Sequence, residues 1–231
     1  MMPALPFGTV IAVLGAESTG KTELARAIAA RLARRGVAVR LVPEYLREWC
    51  DREQRTPRAD EQAAIAVEQT RRIETAAARG VAIADTTAVM TAVYSDLLFG
   101  DTSLYPDAFA AQRGYAITLL TALDLPWVAD GLQRDGPQVR EPVDAAVRAT
   151  LQRAAVPYAV VHGDGPQRLA NAWNAITRTV EVGDFSDAAG GSASDQRDPQ
   201  AAAGAWRWSC DKCSDPACEH RLFSDLVASR R

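Results

Sequence analysis

The feature that most constrains this chain is a glycine-rich turn between an apolar segment and an amphipathic one. Residues 9–15 read TVIAVLG and are apolar on both faces, which is typical of the central strand of a parallel sheet. Apolar residues recur at helical spacing from 21 to 35, and a glycine ends that helix. Between the two segments the pattern G-x-x-x-x-G-K-[ST] is formed by Gly15, Gly20, Lys21 and Thr22. A strand, a glycine loop and a helix in this order predict a phosphate-binding P-loop.

The predicted P-loop would bind the phosphates of a nucleoside triphosphate through its backbone and two side chains. Backbone N–H groups of the loop and of the helix N-terminus face the anion. The Lys21 ammonium would bridge the β- and γ-phosphates, and the Thr22 hydroxyl would bind Mg²⁺. The alternative is a glycine turn that merely begins a helix. The predicted nucleotide-binding residues are Gly15, Ala16, Glu17, Ser18, Thr19, Gly20, Lys21 and Thr22.

Lysine is rare in this chain, which singles out Lys21. Of 26 basic residues only Lys21 and Lys212 are lysines, and the others are arginines. A compact ammonium fits between phosphates, whereas a guanidinium fork is too large. The retained lysine therefore favours a chemical role for Lys21.

Short apolar segments alternate with amphipathic ones through the first 180 residues, which predicts a parallel sheet covered by helices. The fold class is α/β, a three-layer P-loop NTPase with a central parallel five-stranded sheet. The predicted strands are 9–15, 37–44, 81–85, 115–120 and 157–163, and the helices after the first are 60–79, 87–98, 141–155 and 166–180. This domain covers residues 1–181.

Two carboxylates follow or end predicted strands, where ligands bind in open α/β sheets. Asp85 ends an apolar strand and is predicted to be the second Mg²⁺ ligand beside Thr22. The alternative is that Asp85 only caps the helix that begins near Thr87. Glu44 ends another strand, where a carboxylate can accept a hydroxyl proton or bind a ribose diol. Its alternative is a surface glutamate in a loop.

The C-terminal region differs in amino-acid composition from the rest of the chain. Residues 182–205 are rich in Gly, Ser, Asp and Ala, and are predicted to be a flexible linker. Residues 206–231 form a Cys-rich tail with the spacing C-x₂-C-x₄-C-x-H at Cys210, Cys213, Cys218 and His220. This spacing predicts a zinc knuckle, with a thiol cluster and an iron–sulfur site as alternatives. Cys50 stands apart and is predicted to be a small buried hydrophobe.

Charge and hydropathy exclude several classes of function. The net charge of −3 argues against a general nucleic-acid binder. No apolar stretch approaches the roughly 20 residues of a membrane span, and the N-terminus lacks the pattern of a signal peptide. The sequence therefore predicts a soluble cytoplasmic protein that acts on a small molecule, without a membrane or nucleic-acid partner.

Several motifs together resemble one family. The P-loop, VPEYLREW, IADTT with TAVY behind it, and LDLPWVADGLQRDG occur in that order, and PYAVVHGDGPQRLANAWNAI follows. This set resembles the ribosylnicotinamide kinase domain of NadR-type proteins over residues 7–181. NadR proteins can also carry a helix-turn-helix region and an adenylyltransferase domain before the kinase. This chain starts at the first strand, so repression and adenylyl transfer are not expected of it.

The resemblance implies transfer of the ATP γ-phosphoryl group to the 5′-hydroxyl of N-ribosylnicotinamide, which yields nicotinamide mononucleotide. Residues 127–136 would form a lid, and Arg134 and Arg140 would stabilise charge on the transferring phosphate. The alternative for both arginines is an ordinary helix surface. The implied catalytic residues are Lys21, Glu44, Asp85 and Arg134, and the implied substrate residues are Glu44, Tyr45, Asp85, Trp127 and Asp130.

Two other functions remain open at this point. The chain could be a nucleotide-binding regulator whose P-loop controls a protein partner of the Cys-rich tail. It could also be a kinase for another nucleoside or for a nucleotide. A nucleotide acceptor would need an arginine for its own phosphate, and Arg47 could supply it. A nicotinamide riboside is a cation, which suits a site of carboxylates and aromatic faces.

Overall fold

A computed structural model describes residues 5–128 and 137–188 of the 231-residue chain. The predicted tail, most of the predicted linker and residues 129–136 of the predicted lid lie outside the described residues. The strands are β1 (Val10–Leu14), β2 (Val39–Val42), β3 (Val81–Asp85), β4 (Ile117–Thr121) and β5 (Ala159–Val161). The helices are α1 (Lys21–Ala33), α2 (Tyr45–Glu53), α3 (Gln62–Ala77), α4 (Ala88–Phe99), α5 (Tyr105–Arg113), α6 (Arg140–Arg153) and α7 (Gly165–Ala188).

The five strands form one parallel sheet in the order β2-β3-β1-β4-β5. This confirms the predicted three-layer α/β fold with a five-stranded parallel sheet. The connection after β1 leads to β2 on one side of the sheet, and the connection after the adjacent strand β4 leads to β5 on the other side. Ligands bind at such a switch point, beyond the carboxyl ends of the strands. The loop after β1, residues 15–20, therefore lies where a ligand would bind.

Alternating side chains of the central strands pack against two helical layers. Ile11 and Val13 of β1 pack in a cluster with α1 and α7, which includes Ile28 and Trp173. Leu14 of the same strand packs in the opposite cluster, with α4 and α6. Successive residues of a strand point to opposite faces, so an unbroken apolar strand is buried on both sides. Burial of this kind contributes roughly 1.5–3 kcal/mol for each large aliphatic side chain.

The structure differs from the sequence prediction in its short helices. The sequence predicted no helix after Glu44 or before β4, yet α2 and α5 occupy those places. The predicted helix 60–79 is a 3₁₀ turn at Ala59–Glu61 followed by α3. The last helix, α7, runs past residue 181 to Ala188. The domain boundary at 181 and the separate tail stay predictions.

No helix in the described part of the chain is both long enough and apolar enough to cross a membrane.

Candidate phosphate-binding and acceptor site

The loop between β1 and α1 has the backbone of an anion-binding turn. Ser18 and Gly20 both adopt left-handed conformations, with φ of 55° and 74°. Gly20 is also the N-cap of α1 and offers no side chain to the first helical N–H groups. Those N–H groups lack intrahelical acceptors at a helix N-terminus, so they can bind phosphate oxygens. The predicted P-loop has the backbone that phosphate binding requires.

A buried hydroxyl pair supports this loop from β4. Oγ1 of Thr121 lies 3.0 Å from the carbonyl oxygen of Leu14, and Oγ1 of Thr19 lies 2.8 Å from that of Ala16. The two hydroxyl oxygens are 2.6 Å apart, so one hydroxyl donates to the other and the second donates to its carbonyl. Gly15 lies directly over Thr121, with a φ of 145° that disfavours any side chain. The loop is thus fixed by contacts that only glycine permits at position 15.

The side chains of the P-loop motif lie close to the acid predicted for the metal site. Lys21 begins α1, and its Nζ donates to the carbonyl of Ala16 at 2.8 Å. Oγ1 of Thr22 donates to Oδ2 of Asp85 at 2.6 Å. Asp85 is the last residue of β3, which is hydrogen-bonded to β1. The pairing of these two strands therefore brings the Thr22 hydroxyl and the carboxylate together.

Asp85 does not cap the helix that follows it, because another residue is the N-cap of that helix. Thr87 is the N-cap of α4, and its Oγ1 accepts from the N–H of Val89 at 3.3 Å. Asp85 is 3% exposed, and its Oδ1 has no hydrogen-bond partner among the described residues. A hydroxyl and a carboxylate are oxygen ligands that Mg²⁺ prefers. The unpaired Oδ1 of Asp85 and the adjacent Thr22 hydroxyl therefore fit a Mg²⁺ ion.

Glu44 lies at the end of the neighbouring strand and begins a helix. It is the N-cap of α2, but its side chain makes no cap hydrogen bond. Its Oε2 lies 3.9 Å from Nε of Arg47, and the Glu44 side chain is 22% exposed. The carboxylate is therefore only partly exposed, and its role on the acceptor side stays a prediction. The sheet order β2-β3-β1 puts Glu44, Asp85 and the P-loop at the ends of three adjacent strands.

A single buried glutamine holds the loops that carry these two carboxylates. Gln69, on α3, is 3% exposed and accepts from the N–H of Tyr45 at 2.7 Å. Its Nε2 lies 3.4 Å from the carbonyl oxygens of both Pro43 and Thr86. Thr86 adopts a left-handed φ of 70°, which is strained for a β-branched residue. The Gln69 side chain therefore links the loop that carries Glu44 to the loop that carries Asp85.

A partly buried ion pair holds the opposite side of the P-loop. Arg168, on α7, is 4% exposed and donates to Oδ1 of Asp124 at 2.9 Å. It also donates to the carbonyls of Thr19 at 2.8 Å, of Ala122 at 3.2 Å, and of Gly163. Burial raises the pKa of Asp124, but hydrogen bonds from Arg168 and the Gly163 N–H outweigh it and leave that pKa below its ordinary value. One guanidinium thus joins the P-loop to the loops after β4 and β5.

The other predicted site residues are only partly within the described chain. Trp127 is half-buried, and its Nε1 has no hydrogen-bond partner among the described residues. Tyr45 is half-buried, and the guanidinium of Arg72 lies 4.3 Å from its ring centre. Arg140 is 8% exposed and donates to the carbonyl of Leu123 at 3.3 Å, so it is not a surface arginine. Asp130, Arg134 and the predicted zinc ligands Cys210, Cys213, Cys218 and His220 lie outside the described residues.

Within residues 5–128 and 137–188, no group of three or more His, Cys, Asp or Glu side chains is arranged to hold a metal ion. Cys50 is buried, as predicted, and its thiol forms no disulfide. Sequence reasoning did not single out Gln69, Arg168, Asp124 or Thr121. For two of these residues the sequence does contain a signal, because Gln69 and Arg168 interrupt helix faces that are otherwise apolar.

The fold is similar to that of several solved structures. A NadR protein in complex with NAD and AMP-PNP aligns with a TM-score of 0.60 at 21% identity, over 83% of this chain and 52% of that one. A NadR protein in complex with NR aligns with a TM-score of 0.54 at 22% identity, over 83% and 53%. Thymidylate kinase from Ehrlichia chaffeensis aligns with a TM-score of 0.52 at 15% identity, over 77% and 99%.

At these identities the likeness establishes the fold, and the chain spans about half the length of the NadR chains it matches. No curated protein matches the sequence. The sequence profile of a family described as an AAA domain matches residues 10–168, which run from β1 to the arginine beneath the P-loop. The predicted P-loop architecture and its likeness to NadR are confirmed at the level of the fold, and the chain belongs to the AAA-domain family.

Proposed function

We propose that this protein is an ATP-dependent small-molecule kinase that phosphorylates N-ribosylnicotinamide to nicotinamide mononucleotide. The observation that carries the proposal is the contact between Thr22 of the P-loop and Asp85 at the end of the adjacent strand, at 2.6 Å. It joins a phosphate-binding loop to a buried carboxylate at the edge of the sheet where Glu44 also lies. A donor site and a candidate base at one edge are the parts a phosphoryl transfer needs.

On the donor side, the N–H groups of the loop and of α1 would bind the phosphates of ATP. Lys21 begins α1, and its ammonium already lies over the loop, 2.8 Å from the carbonyl of Ala16. It would neutralise charge that builds up on the β- and γ-phosphates. Thr22 and Asp85 would hold Mg²⁺, which supplies further positive charge at those oxygens.

On the acceptor side, Glu44 would accept the proton of the attacking hydroxyl. The hydroxyl oxygen forms a bond to the γ-phosphorus, the bond from that phosphorus to the bridging oxygen breaks, and ADP leaves. The proton passes to the Glu44 carboxylate, which lies at the N-terminus of α2. The negative charge of the same carboxylate would favour a cationic nicotinamide riboside over a neutral nucleoside.

Arg47 supports a second candidate acceptor. Its guanidinium lies 3.9 Å from Glu44 and its side chain is 44% exposed, so it can reach an acceptor phosphate. A nucleoside monophosphate would use such a cation, as a nucleotide kinase requires. The substrate test must therefore include nucleotides as well as nucleosides.

The direct test is purified full-length protein with ATP, Mg²⁺ and a panel of acceptors. The panel contains N-ribosylnicotinamide, the common ribo- and deoxyribonucleosides, and their monophosphates. We expect nicotinamide mononucleotide to form well above the rate of the Lys21→Ala variant. Faster transfer to a monophosphate, abolished in Arg47→Ala, would establish the second candidate instead. ATP hydrolysis without phosphorylation of any acceptor would exclude both.

Glu44 has its own test, in the Glu44→Gln variant. The amide keeps the shape of the side chain but cannot take a proton, so kcat should fall by about 10²-fold or more. Binding of AMP-PNP should stay unchanged, because Glu44 lies on the acceptor side. Near-normal turnover would remove Glu44 from the role of general base.

A further inference from the structure

The side chain of Gln69 contacts backbone groups on both sides of Glu44 and one beside Asp85. Its Oε1 accepts from the N–H of Tyr45 at 2.7 Å, which is a short hydrogen bond. Its Nε2 lies 3.4 Å from the carbonyl oxygens of Pro43 and Thr86, in two longer and weaker contacts. Gln69 itself belongs to α3, which is separate in sequence from the loop that carries Glu44 and from the loop that carries Asp85.

The orientation of this amide follows from its partners. The backbone N–H of Tyr45 is a donor, so the carbonyl oxygen of the side chain must face it. The amide nitrogen then faces two carbonyl acceptors, and both ends of the side chain are matched. A flipped amide would oppose like groups at all three contacts. Gln69 is therefore held in one arrangement.

Both loops depend on this contact for different reasons. Pro43 and Tyr45 flank Glu44, so the glutamine fixes the backbone on each side of that carboxylate. Thr86 follows Asp85 and has a φ of 70°, a conformation that persists only when its surroundings hold it. The N–H of Thr86 donates to Val13 at 3.0 Å, and Gln69 supplies the contact to its carbonyl.

We propose that Gln69 is a positioning residue that sets the separation between the Glu44 and Asp85 carboxylates. The role rests on the proposed kinase function, in which Glu44 serves the acceptor and Asp85 serves the metal on the donor. By spanning the loops after β2 and β3, Gln69 aligns the acceptor hydroxyl with the γ-phosphate. It touches neither substrate.

The test uses two variants of Gln69 in the full-length protein. Gln69→Met keeps the volume and removes all three contacts. Gln69→Glu keeps the acceptor for the N–H of Tyr45, but turns a second oxygen toward the carbonyls of Pro43 and Thr86. In both variants we expect kcat with the acceptor to fall by about 10²-fold, because misplacement of the order of 1 Å has that cost. The Kd for AMP-PNP, measured without acceptor and without Mg²⁺, should change by no more than about threefold, because the hydrogen bonds of Gln69 go to Pro43, Tyr45 and Thr86 and not to the phosphate-binding loop.

Gln112→Met is the matched control. Gln112 is fully buried and also makes two side-chain hydrogen bonds, accepting from Thr87 at 2.7 Å and donating to Thr118 at 2.9 Å. Its loss removes a buried amide of the same kind that contacts Thr87, two residues after Asp85, but contacts neither of the residues that flank Glu44, so it controls for the link to Glu44. We expect a lower melting temperature in this variant, with an acceptor kcat that falls much less than in the Gln69 variants.

The outcomes separate the inference from the proposed function. An inactive wild type overturns the kinase and removes the positioning role with it. An active wild type with unchanged acceptor kcat in Gln69→Met overturns the positioning role alone. Parallel losses of acceptor kcat and AMP-PNP binding, or equal losses of kcat in Gln112→Met, would indicate a general structural effect and also overturn it. If Gln69→Met fails to fold, Gln69→Glu carries the test, and normal turnover in that variant contradicts the link to Thr86.

Discussion

Replacing Arg168 with Met should destabilise the protein far more than any exposed arginine does. The guanidinium is almost fully buried, and its loss leaves the Asp124 carboxylate with only the N–H of Gly163 among these partners. It also leaves the carbonyls of Thr19 and Ala122 without this donor. Breaking a buried ion pair by removing one partner costs about 3–5 kcal/mol.

The lower end of that range applies here. The Asp124 side chain is 29% exposed, so water partly replaces the lost partner. We therefore expect a loss of about 3 kcal/mol in the free energy of unfolding. For a domain of this size each kcal/mol lowers Tm by about 2–4 °C, which gives a fall of about 6–12 °C.

The assay is equilibrium urea unfolding together with a thermal melt, with Arg71→Met as the matched control. Arg71 pairs with Glu68 at 2.7 and 2.8 Å, distances as short as those of Arg168, but its side chain is 61% exposed. Glu68 keeps Arg72 at 2.8 Å after the change, so the control should leave the free energy of unfolding nearly unchanged. Equal losses in the two variants would refute the reasoning from burial. A loss below about 1 kcal/mol in Arg168→Met would refute it as well.

Three further predictions concern other parts of the chain. Gly15→Ala should lower the free energy of unfolding by about 2 kcal/mol or more in urea unfolding, because its φ is 145° and the new methyl would overlap Oγ1 of Thr121; full stability would contradict the tight packing of this loop. Burial, then the charges of Glu44 and Asp51, raise the pKa of the Cys50 thiol to about 11, so peptide mapping should find Cys50 unalkylated by iodoacetamide at pH 8 until the protein is denatured; rapid labelling of the native protein would be inconsistent with this. Elemental analysis of the full chain should find about one zinc per molecule, lost in Cys213→Ser, if the tail is a zinc knuckle; a metal-free protein would exclude it.

The sheet and the phosphate loop could be predicted because their physical causes are local. The five strands are short and mostly apolar, with Arg40 as an interruption in β2, and each is followed by a helix, so period and length identify them without tertiary information. Gly15, Lys21 and Thr22 are likewise fixed by a motif whose residue types follow from phosphate chemistry. Asp85 could be placed at the same edge because parallel strands end together.

The short helices after Glu44 and before β4 could not be predicted in the same way. α2 has nine residues and only Trp49 and Cys50 are buried in it, so its apolar period is too short to recognise. α5 is also nine residues long and buries Gln112 beside Tyr105 and Ala108. Packing against the rest of the protein, rather than local periodicity, stabilises helices of this length.

The buried polar residues that hold the loops of the site could be recognised from a pattern that the sequence does contain. In α3 the buried residues are Gln62, Ile65, Ala66, Gln69 and Ile73, so Gln69 stands where the helix period calls for an apolar side chain. In α7 Arg168 precedes Ala172 and Ile176 at the same spacing, on the face that packs under the sheet. Burying an amide or a guanidinium costs free energy unless its partners are fixed. A polar residue on a buried helix face therefore favours fixed partners, and for Gln69 and Arg168 those partners are the loops that carry Glu44, Asp85 and the phosphate-binding turn.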